Sequence, residues 1–363
     1  MKKVCILLCL AVLLAAPFSA FAEVEEETKV YELLDENGET VTLYAGTPDT
    51  GDEYIAGNNQ HYRVVQVDPD SGKARMERLG DFELPDVSWL DEDSQPVSTK
   101  KKAVAMYCTH SDESYEPGDG ASSKEKRGGI YDVAERLKAA LEKKGVTVYY
   151  SDENHYPHDA GAYRRSRATA ASLAEEGVDA IFDVHRDGIP DASQYESQVK
   201  GEDVTKVRLL VGRQNQNADA NKQFAAQIKA VADKLYPGLV KDIYMGKGSY
   251  NQDLMSKAVL LEFGTHKSEK NEVLASTAYM ADVLNRALYG GVSGAAGQAK
   301  STAKENEGGW TGVGWLAVIG LSGLFLYAFA ASGNLKTAGV KMKRSFQEMT
   351  GGVFGGRHDD GDE

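Results

Sequence analysis

Three short apolar runs in the middle of the chain each carry a side chain of chemical use. Ala103–Tyr107 (AVAMY) leads through Cys108 and Thr109 to His110, and Glu113 stands three residues further on. Ala180–Asp187 (AIFDVHRD) is apolar up to His185. Residues 258–263 (AVLLEF) carry Glu262. Apolar runs of this length between turn-forming residues predict buried strands. The segments between them repeat at helical spacing. Residues 129–144 place Val133, Leu137 and Leu141 on one face and stop at Gly145. Helices are expected likewise at 163–176, 218–235 and 270–289, and further strands at 146–150, 207–211 and 241–245. Strands alternating with helices predict an α/β fold whose largely parallel sheet is flanked by helices. Right-handed crossovers would then bring the strand carboxyl ends, with His110, His185 and Glu262, to one edge.

The flanking patterns differ. Residues 23–86 alternate with a period of two around Asn37-Gly38 and the turn at 68–72, which predicts a small β-rich module. It offers no cluster of chemically useful residues. Polar residues 87–102 read as a linker, and 103–289 as the domain that carries the chemistry. Residues 1–22 have the charged start, apolar core and Ala-Phe-Ala end of an export signal. Residues 290–309 are a Gly-, Ala-, Ser- and Lys-rich flexible tether. Residues 310–332 contain a charge-free stretch long enough to cross ~30 Å of hydrocarbon as a helix. Trp310, Trp315 and Tyr327 suit its interfaces, and Lys336, Lys341, Lys343 and Arg344 follow it. This predicts a single-pass membrane protein with its catalytic domain outside the cytoplasm and residues 333–363 as a cytoplasmic tail.

Charge and cysteine content narrow the classes. The chain carries 55 acidic against 41 basic residues, a net charge of −14, which argues against a nucleic-acid partner. Cys5 and Cys9 fall in the export signal, so Cys108 has no intramolecular disulfide partner. A thiol mechanism is disfavoured, because a cysteine at an apolar strand end is usually inert packing.

Two histidines and two glutamates match the parts of a zinc hydrolase, with three protein ligands, one open position and one carboxylate base. His110 and His185 are the expected ligands. Glu113 is the first choice for the third, because H-x-x-E spacing lets one turn present both side chains. Asp183 or Asp187 would orient His185. Glu262 is costly in an apolar strand unless it is paired or used, and is the candidate general base. Arg186 and Arg167 are candidates for holding an anionic peptide or polarising the scissile carbonyl.

T-H-x-x-E-S-Y at 109–115, D-x-H-R-D at 183–187, L-E-x-G at 261–264 and the Tyr/Ser/Arg stretch at 163–167 resemble the stage II sporulation protein P family. These are membrane-anchored cell-wall hydrolases of endospore-forming bacteria, distantly related to the zinc N-acetylmuramoyl-L-alanine amidases. The resemblance spans about residues 103–289. It implies a zinc-dependent peptidoglycan hydrolase that cleaves the amide between muramic acid and stem peptide, with a further endopeptidase activity on cross-links. It implies protein partners in a wall-remodelling complex. It also leaves the third ligand open, since related amidases place a ligand glutamate before the first helix, where Glu125 stands, and the family has a His-Asp pair before the Tyr/Ser/Arg stretch, to which His158-Asp159, with a shortened loop, or His155 corresponds. This chain departs from the family in having Cys108 where the first histidine of H-T-H usually stands. The rival expectation is a catalytically inactive, membrane-tethered peptidoglycan-binding protein.

Overall fold

The computed structural model describes residues 29–91 and 101–290. The expected export signal, membrane span and tail lie outside these residues, as do nearly all of the tether and most of the linker. No helix among the described residues is long and apolar enough to cross a membrane.

Thirteen strands are present among the described residues. Five come from the N-terminal segment: β1 Val30–Leu34, β2 Thr40–Ala45, β3 Glu53–Ile55, β4 Gln60–Asp68 and β5 Lys73–Asp81. Eight follow: β6 Ala103–Tyr107, β7 Thr147–Tyr150, β8 Ala180–Asp187, β9 Glu196–Val199, β10 Glu202–Thr205, β11 Val207–Gly212, β12 Val240–Gly246 and β13 Ala258–Thr265. The longer helices are α1 Ile130–Glu142, α2 Ala162–Glu175, α3 Ala218–Leu235 and α4 Lys270–Tyr289, each within two residues of its predicted bounds. The β9–β10 hairpin was not anticipated. Its two-residue loop, Lys200-Gly201, has positive φ at both positions, as a tight hairpin of the right twist requires.

Two expectations are corrected. The sheet is mixed rather than largely parallel. Strands β7, β6, β8 and β13 run parallel, but β11 pairs antiparallel with β13 and parallel with β12. The N-terminal strands do not form a separate module. They extend the same sheet to eleven strands, in the order β2-β1-β5-β4-β3-β12-β11-β13-β8-β6-β7, because β3 pairs antiparallel with β12. Sheets of this width tend to curl. Here the N-terminal apolar face folds back onto the central strands, so that Tyr31, Leu33, Tyr44, Tyr54 and Met76 share a core with Leu210, Tyr244 and Leu260. Tyr44 stacks on Tyr244 with centroids 4.1 Å apart.

Period-two alternation then decides what faces what. Val207, Leu209, Val211, Val259, Leu261, Phe263, Phe182 and Val184 point to the core under α1, α3 and α4. Their neighbours Arg208, Glu262, Asp183, His185 and Asp187 must point to the opposite side, where the N-terminal strands and α2 lie.

Polar contacts reinforce the joint. Glu53 of β3 accepts from His61 at 3.0 Å and from Lys222 of α3 at 2.6 Å. The bond from His61, then Lys222, holds its carboxyl down at about 2 against the opposing effect of burial. A depressed carboxyl stabilises the fold fully above its ordinary pKa, and that contribution fades as pH falls toward the folded value. Glu53→Gln is therefore expected to lose on the order of 2 kcal/mol at pH 6 and almost nothing near pH 2. Denaturant unfolding at the two pH values measures this, and equal losses at both would refute it.

Candidate metal centre

The turn after β6 is pinned before it delivers His110 and Glu113. The Thr109 amide donates to Asp183 Oδ1 at 2.9 Å and its hydroxyl to Asp183 Oδ2 at 2.6 Å. The next turn folds back on residues 124–130 through backbone bonds from Lys124 to Asp112, Gly128 to Ser111 and Ile130 to Glu113. Gly128 is required there, since a Cβ would collide with the Glu113 carbonyl. This loop holds His110 and Glu113 beside His185 on β8.

The three side chains form one buried group whose donor atoms all lie within 4.8 Å of one another. Glu113 Oε1 is 3.3 Å from His110 Nδ1 and 3.5 Å from His185 Nδ1. Glu113 Oε2 accepts the Arg186 backbone N–H at 2.9 Å, which fixes the carboxylate plane. His185 Nε2 lies 2.9 Å from Asp183 Oδ1, the carboxylate that also anchors Thr109. Burial alone would raise the Glu113 carboxyl, but His185 and His110 outweigh it and carry it well below the usual range. Burial likewise works against the His185 cation, and Asp183 with Glu113 overcomes it and raises His185 well above the usual value. A metal bound at such a group would take the place of protons, which leave to solvent as the ligands deprotonate. Two imidazoles and one carboxylate are the donor types zinc takes, and three such donors leave one position open. The residues fit the metal.

Glu262 on β13 is the register partner of His185 on β8. Its side chain is only 14 % exposed. Burial, then the charge of Asp187, raises its carboxyl to about 8, with Arg208 and His185 opposing. Tyr163 of α2 stands across the site, its ring 5.4 Å from His110 and 6.4 Å from His185.

The other candidates are not among these three donors. Glu125 is exposed and outside the donor group. His158 stacks on His110 at 3.8 Å, with Nδ1 3.3 Å from Asp112, but is not one of the three clustered donors. Arg167 is paired with Asp253 at 2.6 Å. The Arg186 guanidinium donates to the carbonyls of Ser114, Asp187 and Ser122 at 3.1–3.3 Å, bracing the loop that carries His110 and Glu113. Cys108 is fully buried, and burial pushes its thiol well above the usual range, so it is no nucleophile.

Arg208 was missed. It lies inside the apolar run VRLLVG, where a charge is as conspicuous as Glu262 is in its own strand. A charge buried in an apolar strand requires a partner, and that requirement is the signal Arg208 carries in the sequence.

Comparison with known proteins agrees with the motifs. The family model described as stage II sporulation protein P matches residues 21–285. Stage II sporulation protein P of Bacillus subtilis (strain 168) is 29% identical over 222 residues, 55% of each chain. This chain thus spans about half the length of the curated relative it matches. The N-acetylmuramoyl-L-alanine amidase AmiC2 of Nostoc punctiforme is similar at 16% identity and a TM-score of 0.33, over 53% of this chain and 97% of that one. The CwlD amidase of Clostridioides difficile, solved in complex with the GerS lipoprotein, is similar at 12% identity and a TM-score of 0.35, over 52% and 95%. With the motifs at 109–115, 163–167, 183–187 and 261–264 inside the matched region, the chain belongs to the stage II sporulation protein P family.

Proposed function

We propose that the chain is a zinc-dependent peptidoglycan hydrolase of sporulation-related wall remodelling, cleaving the amide between N-acetylmuramic acid and the stem peptide. The observation that carries this is the buried His110–Glu113–His185 group with Glu262 on the adjacent strand. Family membership supports the substrate class. His110, Glu113 and His185 would hold Zn²⁺, which supplies Lewis acidity toward a carbonyl and toward water. Glu262 accepts the proton of the attacking water and returns it to the leaving amine nitrogen, a task suited to a carboxyl of raised pKa. Asp183 keeps the His185 ring oriented, and Tyr163 shields the imidazoles from solvent. Three of the five Arg186 N–H groups are committed to carbonyls, so the other two are those left for a substrate oxygen. Cross-link peptides present the same amide chemistry, and endopeptidase activity belongs to this reading. Residues 310–332 would anchor the enzyme in the membrane, and a twenty-residue tether reaching ~25 Å would keep it close to that surface.

The full chain incubated with Zn²⁺ and isolated sacculi is expected to release free stem peptides, identified by mass spectrometry. His185→Ala should release at least 100-fold less, by analogy with the loss of a catalytic group. Release no higher than from sacculi without protein would leave the chain as a binding protein without catalysis, and release by His185→Ala equal to wild type would remove His185 from the reading. Activity in a preparation with negligible zinc would remove the metal from the reading.

A further inference from the structure

We propose that Arg208 is the positioning residue for Glu262, and that the N-terminal strands, by completing its hydrogen bonds, are a working part of the catalytic centre. This rests on the hydrolase reading above and extends it to a segment to which neither the motifs nor that reading assign any task.

Arg208, the second residue of β11, is completely buried. Strand register places it directly beside Glu262 of β13 on one side and beside Asp242 of β12 on the other. Its Nε and Nη2 grip the two oxygens of Asp242 at 2.7 and 3.1 Å. Nη1 donates to Asp187 Oδ2 at 2.9 Å, and that oxygen is itself held by the Tyr195 hydroxyl at 2.7 Å. Nη2 completes its set on β2, at 3.2 Å from the Leu43 carbonyl and 3.3 Å from the Thr42 hydroxyl. Lys241 also donates to Thr42 Oγ1 at 3.0 Å and to Asp242 Oδ2 at 2.7 Å. A planar guanidinium held at three of its corners cannot rotate. Its Nη1 is therefore presented at one point, 3.8 Å from Glu262 Oε2. That oxygen is buried and accepts no hydrogen bond among the described residues.

Stability alone does not account for this arrangement. Buried ion networks are often matched or exceeded by apolar packing of similar volume, so they contribute little net stability. What a rigid buried fork supplies is geometry. Three carboxylates (Asp187, Asp242, Glu262) face two cations (Arg208, Lys241). Asp187 and Asp242 take the short contacts, which leaves Glu262 attracted but not bound. Such a carboxylate is held in place while keeping an oxygen for the reaction. Thr42 and Leu43 reach this point only because the N-terminal strands curl over the face that carries Glu262.

The test uses the full chain, zinc-loaded. Arg208→Lys keeps the charge and loses the fork. Thr42→Val keeps the shape and loses the acceptor. Arg208→Lys is expected to lower kcat about 30-fold and Thr42→Val about fivefold, with KM within twofold and zinc content unchanged, because a displaced base affects the chemical step rather than binding. Combined, they should cost less than the product of the two, since both act through one guanidinium. Wild-type kcat in a folded Arg208→Lys overturns the inference. If Arg208→Lys does not fold, Thr42→Val decides, and wild-type kcat there overturns it equally. Multiplicative effects, or losses that follow zinc content or melting temperature, assign the network to the scaffold and overturn it too. Glu262→Gln, run alongside, separates the two levels. Full activity in that variant overturns both readings. An inactive Glu262→Gln beside wild-type behaviour of the other two overturns this one alone.

Discussion

Glu262→Gln is expected to lower kcat by about 10³-fold, within the range spanned by general acid–base groups. KM and zinc content should stay within twofold, because the amide has the shape of the carboxyl and Glu262 is not among the three clustered donors. The pH profile gives a second reading. Glu262 works as a base only when ionised, so activity rises with pH through its pKa. Without metal that value is about 8, set by burial and then by Asp187. A dication nearby favours the ionised form, so the ascending limb of kcat should fall below pH 8 and should vanish in Glu262→Gln. A third consequence is independent of turnover. A carboxyl raised in the folded state destabilises that state as pH climbs from its ordinary value toward 8. Metal-free Glu262→Gln should therefore be more stable than wild type at pH 8, by on the order of 2 kcal/mol, and no more stable at pH 4. A Gln variant that turns over normally, or that is destabilised at both pH values, removes Glu262 from the role given to it.

How much of this could be read from residues alone depends on the range of the forces involved. The strand leading to His110 and the strands carrying His185 and Glu262 were legible because an apolar run is a local signal, and alternation within it decides which side chains share a face. Glu113 was legible for the same reason, being one turn from His110. His158 comes near the site by a different route, along the segment between β7 and α2, and no spacing rule reports where such a segment lands. The antiparallel placement of β11 against β13 was not legible, since alternation is the same whichever way a strand runs. The joining of the N-terminal strands was hidden for a related reason. Tyr31, Leu33, Tyr44, Tyr62 and Val64 announce a face that must be covered, but not by what. Arg208 stood in plain view within an apolar strand, and only its partners, drawn from β2, β8 and β12, show what it does.

A chain beginning at residue 100 and ending at 292 is expected to fail to fold, although those bounds enclose the whole donor group and all four of the longer helices. Removing the N-terminal strands uncovers the edge of β12, where Ile243, Tyr244 and Met245 pair with Ile55, Tyr54 and Glu53. It exposes Leu210, Tyr244 and Leu260 to water. It also strips Arg213 of Asp49 and Asp52, Lys222 of Glu53, and Lys229 of the Gly57 carbonyl, while Arg208 loses Thr42 and Leu43. Each large apolar side chain uncovered costs about 2 kcal/mol. Several such losses equal the whole net stability of a typical domain, about 5–15 kcal/mol. The uncovered edge adds an unpaired strand able to pair with another copy, so aggregation should accompany unfolding. The comparison is between residues 100–292 and residues 23–292, by circular dichroism melting and size-exclusion chromatography. The longer chain should melt cooperatively as a soluble species, and the shorter should show no cooperative transition. A soluble 100–292 fragment that melts at the same temperature would mean that the N-terminal strands only decorate the sheet. A lowered kcat in the Arg208 or Thr42 variants would then need another cause.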